Sequence, residues 1–284
     1  MSNEPTIFEL AVHAPHRINA HSIRNTTDMN DTVAVFCDRI DAGADGMPIA
    51  ELRGCKFPYP KLWIEYRSAL AEGGLDVVFA CFLREHKRED GHIINGLCYQ
   101  QGRETDSHTP VTDGPIASFT FRTNSNGDIV SLRDDPNSLC LGVALSEEYQ
   151  KASMGYGIDV VGAVVRDALY AISLMNCKNI EVVDGGFTDD GLSPKQIRGG
   201  GRFRVAFKVL KVTVGKTRTY VLGKATSGES ANLPVHLVRG HFAEYTPERP
   251  MFGRNGSHGK FWIPAHARGT IENGIVVKDY EVTA

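Results

Sequence analysis

The hydrophobic pattern of this chain changes period once, and that switch limits what it can fold into. Before residue 157 the apolar residues come in short runs. Ile7 to Val12, Thr32 to Cys37, Leu62 to Tyr66, Asp76 to Leu83, His92 to Tyr99 and Ile116 to Arg122 are rich in Val, Ile, Phe and Tyr. Each is bounded by Gly, Pro, Asn or Asp clusters, which reads as strands separated by turns. Ala71-Glu72-Gly73-Gly74 is a hairpin signal, and Asn124-Ser125-Asn126-Gly127-Asp128 is a second turn leading into Ile129-Val130. From Gly157 the period lengthens: Ile158, Val161, Val165, Ala168, Leu169, Ile172 and Met175 recur at three- and four-residue steps, the stripe of an amphipathic helix.

The remainder returns to short runs. Lys178 to Val183 reads as a strand, and Asp184-Gly185-Gly186 with Asp189-Asp190-Gly191 as an irregular polar loop. Ser193-Pro194 opens a short helix, with Ser as N-cap and Pro in the first turn. Val205 to Val214, Val235 to Tyr245 and Ile275 to Val282 read as strands, separated by a small polar loop at Gly223 to Asn232 and a Pro/Gly-rich loop at Thr246 to Gly259. The expected fold class is α+β: a β-rich N-terminal region, one long buried helix, then a basic β-rich C-terminal region.

Charge divides the chain more sharply than pattern does. Residues 192–284 hold 15 Lys/Arg and 6 Asp/Glu, whereas residues 1–191 hold 16 and 28. The expected organisation is an acidic domain over 1–191, containing the helix at 157–175, and a basic domain over 192–284. A local excess of one sign sets the field an incoming partner meets, so the basic end should seek phosphate or acidic protein. An acidic portion docking on a basic portion, within one chain or between copies, is the other use of such a split, and would give a homo-oligomer.

Other classes are disfavoured. The apolar stretch Ile158 to Met175 is interrupted by Asp159, Arg166 and Asp167, too polar to cross a bilayer, so no membrane partner is expected. The N-terminus carries no export signal, and the six cysteines include no C-x-x-C pair, which together point to a reducing interior and to no zinc site. Gly215-Lys216-Thr217 is not a P-loop, because that motif needs Gly where the chain has Leu210. No nucleophile elbow occurs, and Asp184, Asp189 and Asp190 fit no EF-hand. No cofactor is expected.

Two constellations remain. Arg198-Gly199-Gly200-Gly201-Arg202 suits an anion, since a Gly-rich turn lets backbone N–H groups approach and guanidinium groups bind bidentately. Arg204 and Lys208 extend it along a strand whose other face carries Phe203, Val205, Phe207 and Val209. Arg239, His241, Arg254, Trp262, His266 and Arg268 form the second set, basic residues interleaved with aromatics as in surfaces that stack bases and contact phosphates. His236, His241, His258 and His266 would be the ligands of a metal-dependent nuclease or phosphodiesterase. His236 and His241 are five positions apart, which puts them on opposite faces of a regular strand, and acids are few there.

The segment containing His236-Leu237-Val238-Arg239-Gly240-His241-Phe242 and Phe261-Trp262-Ile263-Pro264-Ala265-His266-Ala267-Arg268-Gly269 resembles uncharacterised proteins carried by bacteriophages and prophages. The resemblance covers about the last 95 residues, with an echo at Phe57 to Tyr66, and implies a phage origin rather than an activity. The expected function is that of a non-enzymatic accessory protein of the host cytoplasm. It would bind nucleic acid, or a host complex that processes nucleic acid and can be blocked as a counter-defence. The alternatives are the metal-dependent nuclease and a self-assembling structural protein.

Overall fold

The structure, a computed structural model of the 284-residue chain, describes residues 6–13, 29, 31–38, 52, 54–68, 77–103, 110–130, 143–145, 157–200, 204–212, 234–238, 240–251, 257–268 and 270–276. It is a mixed α/β protein with a large sheet and few helices. Two compact units make it up: Met1–Asn176 with Glu181–Lys211, and Cys177–Ile180 with Val212–Ala284. The expectations at Ala71 to Gly74 and Gly223 to Asn232 lie outside the described residues.

The first unit is built on a nine-stranded sheet. Its strands are β1 (Val33–Asp38), β2 (Lys61–Ser68), β3 (Val77–Arg88), β4 (Gly91–Arg103), β5 (Pro110–Thr123), β6 (Ile129–Val130), β7 (Ala144–Leu145), β8 (Ile180–Phe187) and β9 (Ala206–Val212). They lie in the order β6-β5-β4-β3-β2-β1-β9-β8, with β7 also on β5. From β2 to β5 the pairing is antiparallel, whereas β1 runs parallel to both β2 and β9. The turn between β5 and β6 is the expected one: Asn124 Oδ1 accepts the N–H groups of Asn126 and Asp128, a local bond that turns the chain back on itself.

Each face of this sheet carries a helix. Helix α1 (Ile7–His13) covers the face bearing Trp63, Phe82 and Tyr99, with Phe8 against Trp63 at 5.4 Å. Helix α2 (Gly157–Met175) lies over β3 and β4 on the other face, burying Val161, Val164, Val165, Ala168, Leu169 and Ile172 and exposing Ile158. There Tyr66 donates to Asp167 Oδ2 at 2.7 Å, so the helix's buried carboxylate has a partner from β2. Because period-2 alternation sends neighbours to opposite faces, Trp63 and Tyr66 serve different layers.

Three sequence expectations are corrected. Ile7 to Val12 is a helix rather than a strand. Thr6 Oγ1 accepts from the Glu9 N–H while Glu9 Oε2 accepts from the Thr6 N–H, a capping box, and Ile7, Phe8, Leu10 and Ala11 fall on one helical face. Asp184-Gly185-Gly186 is not a loop but part of β8. A Cβ on Gly185 would enter the Phe207 ring, so the glycine lets this edge strand lie against the core. Val235 to Tyr245 is two strands in different sheets, β10 (Pro234–Val238) and β11 (His241–Tyr245), broken at buried Gly240.

The second unit holds a three-stranded sheet of order β13-β10-β14 and a two-stranded hairpin of β11 with β12 (Gly259–Ile263). Strand β13 is His266–Arg268 and β14 is Thr270–Val276.

Candidate nucleic-acid interface

The expected Gly-rich turn begins as helix. Helix α3 (Pro194–Gly200) is capped by Ser193, whose Oγ accepts the Gln196 N–H while Gln196 Oε1 accepts the Ser193 N–H. Arg198, Gly199 and Gly200 therefore form its last turn, and the exposed Arg198 Nε donates back to Pro194 O at 3.2 Å. Arg202, Arg239 and Arg254 lie outside the described residues.

Lys208 faces an acid of the neighbouring strand β8, and Arg204 faces one in the turn after it. Lys208 Nζ meets Asp184 Oδ1 at 2.7 Å, a bond that lowers the Asp184 carboxyl and raises the Lys208 ammonium from their ordinary pKa values. Arg204 reaches Asp189 at 3.2 Å and lies 3.8 Å over the ring of Phe187. Both pairs join residues below 192 to residues above it. Each sets a carboxylate against a cation of the expected anion site, which weakens the local positive field.

The aromatic and basic residues of the second unit gather on the β11–β12 hairpin. Its antiparallel register sets Phe242 opposite Trp262 and Glu244 opposite Lys260, so these four share a face. The rings of Phe242 and Trp262 are 5.0 Å apart, and Lys260 Nζ lies 4.4 Å from the Phe242 centroid, a cation–π contact. The opposite face carries His241, Phe261 and Tyr245, the last two edge to face at 5.7 Å. All of these rings keep part of their surface in solvent.

Trp262 is held from two sides. Asn179 Oδ1 accepts the Trp262 N–H at 2.9 Å and Asn179 Nδ2 donates to Trp262 O at 2.7 Å, while the Lys178 N–H donates to Lys260 O. The indole rests on Gly240, where a Cβ would stand 2.5 Å from Cζ2. Asn179 lies 83 residues from its partner, so no local sequence pattern marks it as part of the site.

His266 and Arg268 sit on β13, both exposed, with His266 Nδ1 3.0 Å from Pro264 O. In register Arg268 faces His236 of β10, whereas His241 begins β11 in another sheet. Among the described residues no three His, Cys, Asp or Glu side chains gather as a metal site. Comparison with protein-family models, curated proteins and solved structures finds no match to this chain.

Proposed function

We propose that this chain is a non-enzymatic binding protein whose second unit engages nucleic acid through the β11–β12 hairpin. This fits the phage-type accessory role that its C-terminal segment suggests. Trp262 and Phe242 offer ring faces to bases, Lys260 supplies charge beside them, and Arg268 and His266 add donors on β13. The second unit contains 10 Lys/Arg and 6 Asp/Glu, so its field favours phosphate.

The observation that carries the reading is the fixation of Trp262. A ring clamped through its backbone by Asn179 and seated on Gly240 has little freedom left to lose on stacking, yet remains partly exposed. Base–aromatic stacking contributes about 1–3 kcal/mol per base, or about 5- to 100-fold in affinity.

Anisotropy of labelled single-stranded oligonucleotides measures this directly. Trp262→Ala should weaken binding by that factor, and Lys260→Gln should weaken it while lowering its salt dependence. Unchanged affinity in both variants would remove nucleic acid as the hairpin's ligand and leave a host protein complex as the partner to seek.

A further inference from the structure

We propose that the first unit carries a second, separate nucleic-acid contact: the open face of its sheet beyond α1, which grips the sugar–phosphate backbone of a duplex. Strand register builds this face. One row across the sheet is Lys61, Arg84, Asn95 and Thr120, and the next is His86, Ile93, Arg122 and Val130. Arg88 ends β3 on the same side. These residues continue the face of Trp63 and Phe82 past the region that α1 covers, and Arg88, Asn95, Thr120, Arg122 and Val130 are exposed.

The sheet sorts charges that the sequence leaves mixed. The run Arg84-Glu85-His86-Lys87-Arg88 looks like a solvated, near-balanced stretch, but alternation puts Arg84, His86 and Arg88 on this face and Glu85 and Lys87 on the other. Glu85 there pairs with His92 at 3.0 Å. No carboxylate occupies either row. Described acids at its margins are Asp31, 4.0 Å from Lys61 Nζ with 83% of its side chain exposed, Glu89 and Asp90 in the turn after Arg88, and Asp128 in the turn before β6. A cationic face thus forms in the unit with the acidic balance, 21 Lys/Arg against 28 Asp/Glu.

The ligand follows from what the face lacks. Among the described residues its two rows carry no aromatic side chain on which a base could stack, so it suits a backbone rather than unpaired bases. Thr120 Oγ1 donates to Asn95 Oδ1 at 2.9 Å, which leaves the Asn95 amide N–H groups as outward donors beside the cations. Arg84 and Arg88 are four residues apart on one strand, about 13 Å. Arg84 and Arg122 are two strands and two residues apart, about 12 Å. Those backbone spacings spread the cations over several phosphates of a duplex rather than concentrating them at one point.

The test uses the full chain and a short labelled duplex, with affinity measured across a salt series. Arg88→Gln with Arg122→Gln removes two exposed cations from this face, and Lys87→Gln removes one from the opposite face of the same strand. The double variant should lower the slope of log affinity against log salt by about 1.8, with Lys87→Gln leaving it unchanged. An unchanged slope in the double variant, or an effect of Lys87→Gln equal to that of Arg88→Gln alone, would overturn the assignment. So would tighter binding of the matching single strand with the same loss of slope. Repeating the double substitution in the Lys260→Gln background separates the two surfaces, because the loss should persist there whether or not the hairpin binds.

Discussion

The backbone N–H of Phe8 donates to Glu65 Oε2 at 3.0 Å, tying the first turn of α1 to the middle of β2. Ile7 N–H donates to the other carboxylate oxygen at 3.3 Å and Trp63 Nε1 to Oε2 at 3.1 Å. One strand carboxylate thus caps a helix and satisfies a buried indole.

Burial pushes the Glu65 carboxyl up to about 7 in spite of those three donors, with the nearby Glu9 carboxylate adding to the rise. A carboxyl that binds its proton more tightly when folded makes the fold most stable below its unfolded value of about 4.5. That contribution is lost as pH climbs from there through about 7, in total about 3 kcal/mol. Denaturant midpoints should therefore fall between pH 5 and pH 8 in the native chain and stay nearly level in Glu65→Gln. A variant that kept the full native slope would show that Glu65 is not its source.

Two glycines of the first unit should respond to alanine with opposite signs. Gly96 on β4 faces Phe119 on β5 in register, and a Cβ there would enter the Phe119 ring, which is fully buried with Phe121 beside it. Gly96→Ala should cost about 1–3 kcal/mol by overpacking. Gly162 lies inside α2 with open space around its Cα, so Gly162→Ala should gain about 0.5–1 kcal/mol from helix propensity. Urea titrations of the two variants give the comparison, and equal signs would contradict the packing described.

The sequence carried the strands of the large sheet best where alternation and turn chemistry agree, as at β2 and at Asn124 to Asp128. It carried less where a short apolar run fits both periods. Ile7 to Val12 was ambiguous on hydrophobicity alone, and only the Thr6–Glu9 box separates helix from strand. The candidate sites were partly hidden for a different reason. Linear charge counting assigns Asp184 and Lys208 to opposite regions, but adjacent strands put them 2.7 Å apart. The same counting hides Arg84, Arg88 and Arg122 in an acidic region, because only register decides which charges share a face. The Asn179 clamp on Trp262 depends on a pairing that no local pattern encodes.

Cys81 and Cys98 face each other across β3 and β4 with their Sγ atoms 3.7 Å apart, fully buried beneath α2. Burial and the neighbouring thiol hold the Cys81 pKa well above its ordinary value, and burial pushes Cys37 up to about 12. Because the thiolate is the nucleophile, the fully buried Cys81 and Cys98 react only when the fold opens. Iodoacetamide at pH 8 should leave Cys81 and Cys98 unmodified in the folded chain and alkylate both in denaturant, read by peptide mass mapping. Rapid native labelling of Cys81 would contradict its burial.

Gly240→Ala tests the seat of Trp262. The new Cβ would stand 2.5 Å from Cζ2 and 2.8 Å from Cη2 of the indole. The ring has no easy retreat: its backbone is bonded on both sides by Asn179, and Phe242 lies 5.0 Å away on the same face. The substitution should therefore cost about 1–3 kcal/mol in the second unit and expel the indole toward water. The chain has two tryptophans, and Trp63 is fully buried, so it supplies an unchanging blue component against which Trp262 is read. Emission should shift to the red and become more accessible to iodide in Gly240→Ala. Asn179→Ala should give the same shift by a separate route, since it removes both backbone bonds without adding bulk. Emission unchanged in both variants would mean that Trp262 is not held where the hairpin places it, and the stacking surface would lose its anchor.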